Sequence, residues 1–234
     1  MPALCLLESK MHECILINFE PTNIQARSLG VNNSDIMTQR VISLYSEATP
    51  NPENMKFVMN KMLYARNNVD FQSAEEVDGA SPFADQLFGL PFVKGVFISN
   101  NFVTVAKKPD YDWNDIIPQI KEFIKGYLQD DNPIVNEALI AERKGEAQEA
   151  IIFSEDDAEI VEKIKGILEK YVQPAVEMDG GTIVFRNYKE GTVTLGMQGA
   201  CSGCPSSTVT LKNGIEGMMK RMIPEVQEVV ADAM

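Results

Sequence analysis

The chain has 234 residues, with 34 Asp and Glu against 21 Lys and Arg, for a formal net charge of −13. So acidic a surface repels phosphate backbones and anionic headgroups, which argues against nucleic acid and membrane surfaces as partners. With 44% hydrophobic residues and no apolar run near the ~20 residues of a membrane span, the composition fits two compact soluble domains.

Residues 1–40 carry no sustained periodicity and read as a poorly ordered N-terminal extension. The opening "MPALCLLESKMHECILINFE" has no positive n-region or small-residue cleavage site, and it holds Glu8 and Glu13. Four cysteines are too few for a disulfide framework, so the chain reads as cytoplasmic, in a reducing setting. His12, the sole histidine, lies in the same unpatterned stretch as Cys5 and Cys14. All three read as incidental side chains rather than ligands.

From residue 41 the pattern sharpens. "VISLYSE" alternates and predicts a strand, "ATPNPEN" a turn, and "MKFVMN" a second strand. In "SPFADQLFGLP", Ser81 is the expected N-cap, Pro82 the first helical residue and Gly89 the stop. "GVFISNNFVTVAK" predicts two strands around Ser99–Asn101. "DWNDIIPQIKEFIKGYL" predicts a helix capped by Asp112, with Pro118 imposing a kink or a late start and Trp113 as a packing residue. Residues 41–130 thus form a small α/β sandwich. The charged, alanine-rich residues 131–153 read as a linker with helical tendency.

The last domain, residues 154–234, opens with "SEDDAEIVEKIKGILEKYV". Ser154 and Asp157 resemble a capping box, and the acidic first turn suits the helix dipole better than it suits a cation site. Ile160, Ile164, Ile167, Leu168 and Tyr171 form its apolar face, and Pro174 ends the helix. "TIVFRNYKEGTVTLGM" predicts a hairpin in which Val193, Leu195 and Met197 alternate. A final helix presents Leu211, Ile215, Met218, Met219 and Met222 on one face, where methionine is core filler. The fold class is α+β: two small sandwich domains, the second built as helix, β-hairpin and helix.

Between hairpin and last helix stands "GACSGCPSS", with Cys201 and Cys204 three positions apart. Pro205 suits a first helical position, followed by Ser206 and Ser207, so the pair lies on the loop into a helix N-terminus. Free N–H groups there favour thiolate, and Gly199 and Gly203 let backbone pass close to a bulky anion. Three uses compete on spacing alone. A dithiol–disulfide redox couple needs two sulfurs, but it usually follows a strand in a βαβ unit. A zinc site, in an interaction module, needs four ligands that this domain lacks. An iron–sulfur cluster could be completed by the same pair from a second copy.

"DGGTIVF", "GTVTLGMQGACSGCPSS" and "TLKNGIEGMMKRMIPEV" closely resemble the C-terminal domain of Nfu-type iron–sulfur carriers, over about residues 155–232. "SEATPNPENMKFVMNK" and "PFVKGVFISNNFVTVAKK" resemble the Nfu N-terminal domain, over about residues 43–130. The resemblance implies a scaffold and carrier, not an enzyme. It would hold a 4Fe–4S cluster between two subunits of a homodimer and pass it to apo client proteins. A 2Fe–2S form would need the same four thiolates, and an upstream assembly scaffold would supply the cluster. The family's ligands fall on Cys201 and Cys204. Thr182, where relatives often carry an acidic residue, is a mild departure.

Overall fold

The computed structural model describes residues 41–148, 157–202 and 205–233. Five segments pair antiparallel: β1 (Leu44–Ala48), β2 (Asn54–Met59), β3 (Tyr64–Phe71), β4 (Val93–Asn100) and β5 (Phe102–Lys107). Their order is β1-β2-β5-β4-β3. Because successive side chains alternate faces, Phe57, Met59, Val69, Phe71, Val96, Ile98, Val103 and Val105 all enter one core. Two helices cover that face, α1 (Pro82–Phe88) and α2 (Trp113–Gln129), through Phe83, Leu87, Ile116, Ile120 and Ile124.

The opposite face carries a row that crosses the whole sheet. Glu47 pairs with Lys56, Lys56 with Thr104, Thr104 with Phe97, and Phe97 with Asp70. Lys56 forms an ion pair with Glu47 at 3.4 Å and lies over the Phe102 ring. β3 has no counterpart in the sequence reading. Its polar run and the register irregularity between Tyr64 and Asn68 break the alternation that would have revealed it.

Local chemistry sets the helix ends. Ser81 is fully buried; its Oγ accepts from Ala84 N–H at 3.0 Å and donates to the Ile134 carbonyl at 2.6 Å. Replacing it with Ala strands both groups, so we expect Ser81→Ala to cost about 1–2 kcal/mol in denaturant unfolding. Asp112 caps α2, accepting from Asn114 N–H at 2.8 Å. The helix starts at Trp113 and continues across Pro118, so there is no late start. Trp113 packs against the core and donates its indole N–H to the Pro52 carbonyl.

Residues 137–148, inside the expected linker, form α3 (Glu137–Gln148). It is fastened to the first domain: Ile140 is buried in that core, and Arg143 donates to the Glu76 carbonyl at 2.7 Å. The linker reading undervalued one apolar residue, which enters the core, and one arginine, whose carbonyl partner lies more than 50 positions upstream.

The second domain runs α4 (Ala158–Ile167), a π-helical turn (Leu168–Val172), α5 (Gln173–Met178), the hairpin β6 (Gly181–Lys189) and β7 (Thr192–Gly199), α6 (Pro205–Met222) and β8 (Glu228–Ala233). Pro174 does not end the helix. The widened turn, in which Gln173 N–H reaches back to Leu168 C=O, accommodates a proline that would collide with a regular preceding turn. β8 joins parallel to β7, an addition to the expected helix–hairpin–helix. Val161, Ile164, Ile167 and Leu168 meet Val193, Leu195, Met197, Ile215 and Met219 in the core. Tyr171 and Met222, expected on the apolar faces, are instead 47% and 49% exposed. The π turn shifts Tyr171 out of phase with the stripe. Ser154 lies outside the described residues.

Candidate metal centre

The two ends of the hairpin bring "DGG" and "GACSGC" together. Gly181 pairs with Gly199, and Ala200 N–H donates to the Gly180 carbonyl at 3.2 Å. Beyond the strand the chain turns tightly: the Ser202 N–H and Oγ–H both donate to the Gly199 carbonyl, at 3.1 and 2.8 Å. Gly199 needs its left-handed φ of +65°, and a Cβ there would lie 2.8 Å from both the Gly180 carbonyl oxygen and the Phe97 ring. α6 then begins at Pro205, as the sequence predicts.

Cys201 is 7% exposed and belongs to the second domain's core. Its Sγ lies where only a glycine can face it: a Cβ on Gly181 would come within 2.7 Å. Burial, with the Asp179 charge adding to it, pushes the thiol up to about 12. For Cys201 this departs from the expectation of a thiolate-favouring loop. The helix end acts on groups placed at its first turn, whereas Cys201 precedes α6 by four residues and turns inward. Cys204 and Gly203 lie outside the described residues, as do Cys5, Cys14 and His12. Thr182 is buried, and its Oγ accepts from the Gln173 side chain at 2.7 Å, so the departure from an acidic residue is satisfied internally.

The polar row of the first domain meets this loop. Lys56 Nζ donates to the Glu177 and Met178 carbonyls at 2.9 and 3.2 Å, a cation set on the negative end of α5. Thr104 Oγ donates to the Gly180 carbonyl at 2.7 Å. Asp70 Oδ2 accepts from Gly199 N–H at 3.0 Å, and Asn51 Nδ2 donates to the Ser202 carbonyl at 3.3 Å. Sequence reasoning missed all four residues. Asp70 stands between core-facing Val69 and Phe71, but its strand was not recognised, so its facing was not either.

Asp70 is half-buried, and desolvation raises its carboxyl to about 6 despite hydrogen bonds from Gly199 and Gln72; nearby Glu76 raises it further. The folded protein therefore holds this proton more tightly than the unfolded chain. The resulting stabilisation is complete below the ordinary 3.8 and is lost as pH rises through about 6. Asp70→Asn keeps an acceptor and removes the charge. We expect it to be more stable than the parent by about 1–2 kcal/mol at pH 7.5, discounted for partial exposure, and equal to it near pH 4. Paired denaturant titrations at the two pH values check this.

Comparison with known proteins matches both halves. Residues 44–131 match the family described as scaffold protein Nfu/NifU N terminal, and residues 164–230 match the NifU-like domain. A Drosophila willistoni protein named NFU1 iron-sulfur cluster scaffold homolog, mitochondrial, is 40% identical over 195 residues, covering 83% of this chain and 65% of its own length. The Homo sapiens protein of that name is 36% identical over 191 residues, covering 81% of this chain and 72% of its own. A Drosophila yakuba protein, also so named, is 37% identical over 206 residues, covering 88% and 70%. The chain thus spans about two thirds of the length of such relatives. Their names are mitochondrial, which overturns the cytoplasmic expectation. Cysteine usage reports a reducing environment, and more than one compartment provides that. With both domain types in order and relatives alike across most of its length, the chain belongs to the Nfu family.

Proposed function

We propose that this chain is a mitochondrial iron–sulfur cluster scaffold and carrier. Cys201 and Cys204 of two copies hold one 4Fe–4S cluster as cargo and release it to apo-proteins. The observation that carries this reading is a C-x-x-C loop, leading into α6 of a NifU-like domain, that offers half of a four-thiolate set. A second copy supplies the missing pair, and parting the copies dismantles the site.

Delivery is ligand exchange: a client thiolate forms a bond to iron as a carrier thiolate leaves and takes up a proton. An upstream assembly scaffold supplies the cluster, and the N-terminal domain meets donors or clients. The role is cargo handling rather than turnover. A redox dithiol fits less well, because that motif usually follows a strand in a βαβ unit, whereas the antiparallel hairpin of β6 and β7 precedes this pair.

Anaerobic reconstitution with iron and sulfide tests the reading. The expected product is a brown dimer with about two irons per chain, with cluster binding lost in Cys201→Ser and in Cys204→Ser. A protein that binds stoichiometric zinc and takes up no iron overturns it, as does a monomer that holds the cluster equally well.

A further inference from the structure

We propose that the N-terminal domain is a cover in cis for the cluster loop: the sheet face bearing Asn51, Lys56, Thr104, Phe97 and Asp70 clamps the loop with Cys201 turned inward, and cargo enters only after the two domains part. This rests on Cys201 being a cluster ligand.

The clamp grips both sides of that cysteine. Asp70 takes the Gly199 N–H two residues before it, and Asn51 takes the Ser202 carbonyl one residue after it. The Phe97 ring lies against Gly199, and Thr104 holds the Gly180 carbonyl, which also receives Ala200 N–H. Between these fixed points Sγ packs on Gly181 in the domain core. A sulfur so placed cannot reach iron shared with a second copy. To ligate, the 199–202 turn must rotate Cys201 outward, and that rotation has to break the bonds made by Asp70 and Asn51. Those groups belong to the neighbouring domain, so its separation frees the turn without unfolding either core.

The row is built for one occupant. Lys56, Thr104 and Asp70 present two donors and one acceptor, in register across three strands, to two carbonyls at the end of α5, the carbonyl of Gly180 and the N–H of Gly199. Every partner is a backbone group of the second domain. The occupant is therefore this chain's own loop, and a second copy must displace it.

The test reads Cys201 directly in the full-length apo protein, in a Cys5→Ser, Cys14→Ser, Cys204→Ser background. Iodoacetamide is the probe, with mass-spectrometric assignment of the alkylated site. Asn51→Asp keeps the acceptor for Glu53 N–H and loses the donor to Ser202; Asp70→Ala loses the acceptor for Gly199. Each should speed alkylation at least tenfold, whereas Asp70→Asn, which retains an acceptor, stays slow. In chains with all cysteines restored, the two releasing variants should also load iron and sulfide faster. Alkylation at the parental rate in both releasing variants overturns the cover, as does equal acceleration by Asp70→Asn. If Cys201 is released as expected but no variant takes up iron, the clamp stands and the cluster-carrier reading falls.

Discussion

Gly181→Ala should unfold the second domain about 15 °C below the parent, equivalent to about 2–3 kcal/mol. The added methyl would sit 2.6 Å from the Gln198 carbonyl oxygen and 2.7 Å from Cys201 Sγ. Neither neighbour can yield cheaply. The carbonyl belongs to β7, whose pairing with β6 runs from Gly181↔Gly199 to Lys189↔Thr192. The sulfur is walled in by the core and by a loop held at Gly199 and Ser202. Relief comes by expelling Cys201, so the same variant should show a more reactive thiol alongside its lower melting temperature. Thermal unfolding followed by alkylation kinetics reads both, and a variant that melts with the parent would refute this packing.

A larger loss is expected from Phe83→Ala, about 3–5 kcal/mol. Phe83 is fully buried at the start of α1, and its ring meets Tyr127 edge-on at 5.0 Å and Phe123 at 5.9 Å. Removing it leaves a void between α1, α2 and the sheet, with two aromatic partners facing nothing. Phe83→Leu refills most of that volume and should recover at least half of the loss. Because the void lies on the far side of the sheet from the polar row, Cys201 reactivity under native conditions should not change. Denaturant unfolding of the pair, with thiol alkylation as the control, separates the two effects.

What the sequence made legible was local. Ser81 and Asp112 announce helix starts because a cap is a bond between residues two or three apart. The Val193, Leu195, Met197 alternation announces a strand for the same reason. The cysteine pair stood out through its spacing, its flanking glycines and the proline that opens α6. Features that depend on distant partners stayed hidden. β3 is held by β4 rather than by its own pattern, and β8 is a short edge strand whose partner, β7, lies before α6. α5 was missed because a proline in a helical run reads as a stop unless the wider turn before it is known. The protonation of Cys201 was misjudged for a related reason: sequence places the thiol near a helix end, but only tertiary packing turns it toward Gly181.

The π-helical turn at Leu168–Val172 has a consequence for insertions and deletions. Such a turn holds one residue beyond the regular spiral. Excising a single residue there would restore ordinary winding and leave the downstream phase nearly unchanged, but the Pro174 ring would then collide with the tightened turn before it. The helix would have to break ahead of the Glu177 and Met178 carbonyls that Lys56 now grips. One surplus amino acid thus makes room for the ring and keeps those carbonyls where the other half of the molecule meets them.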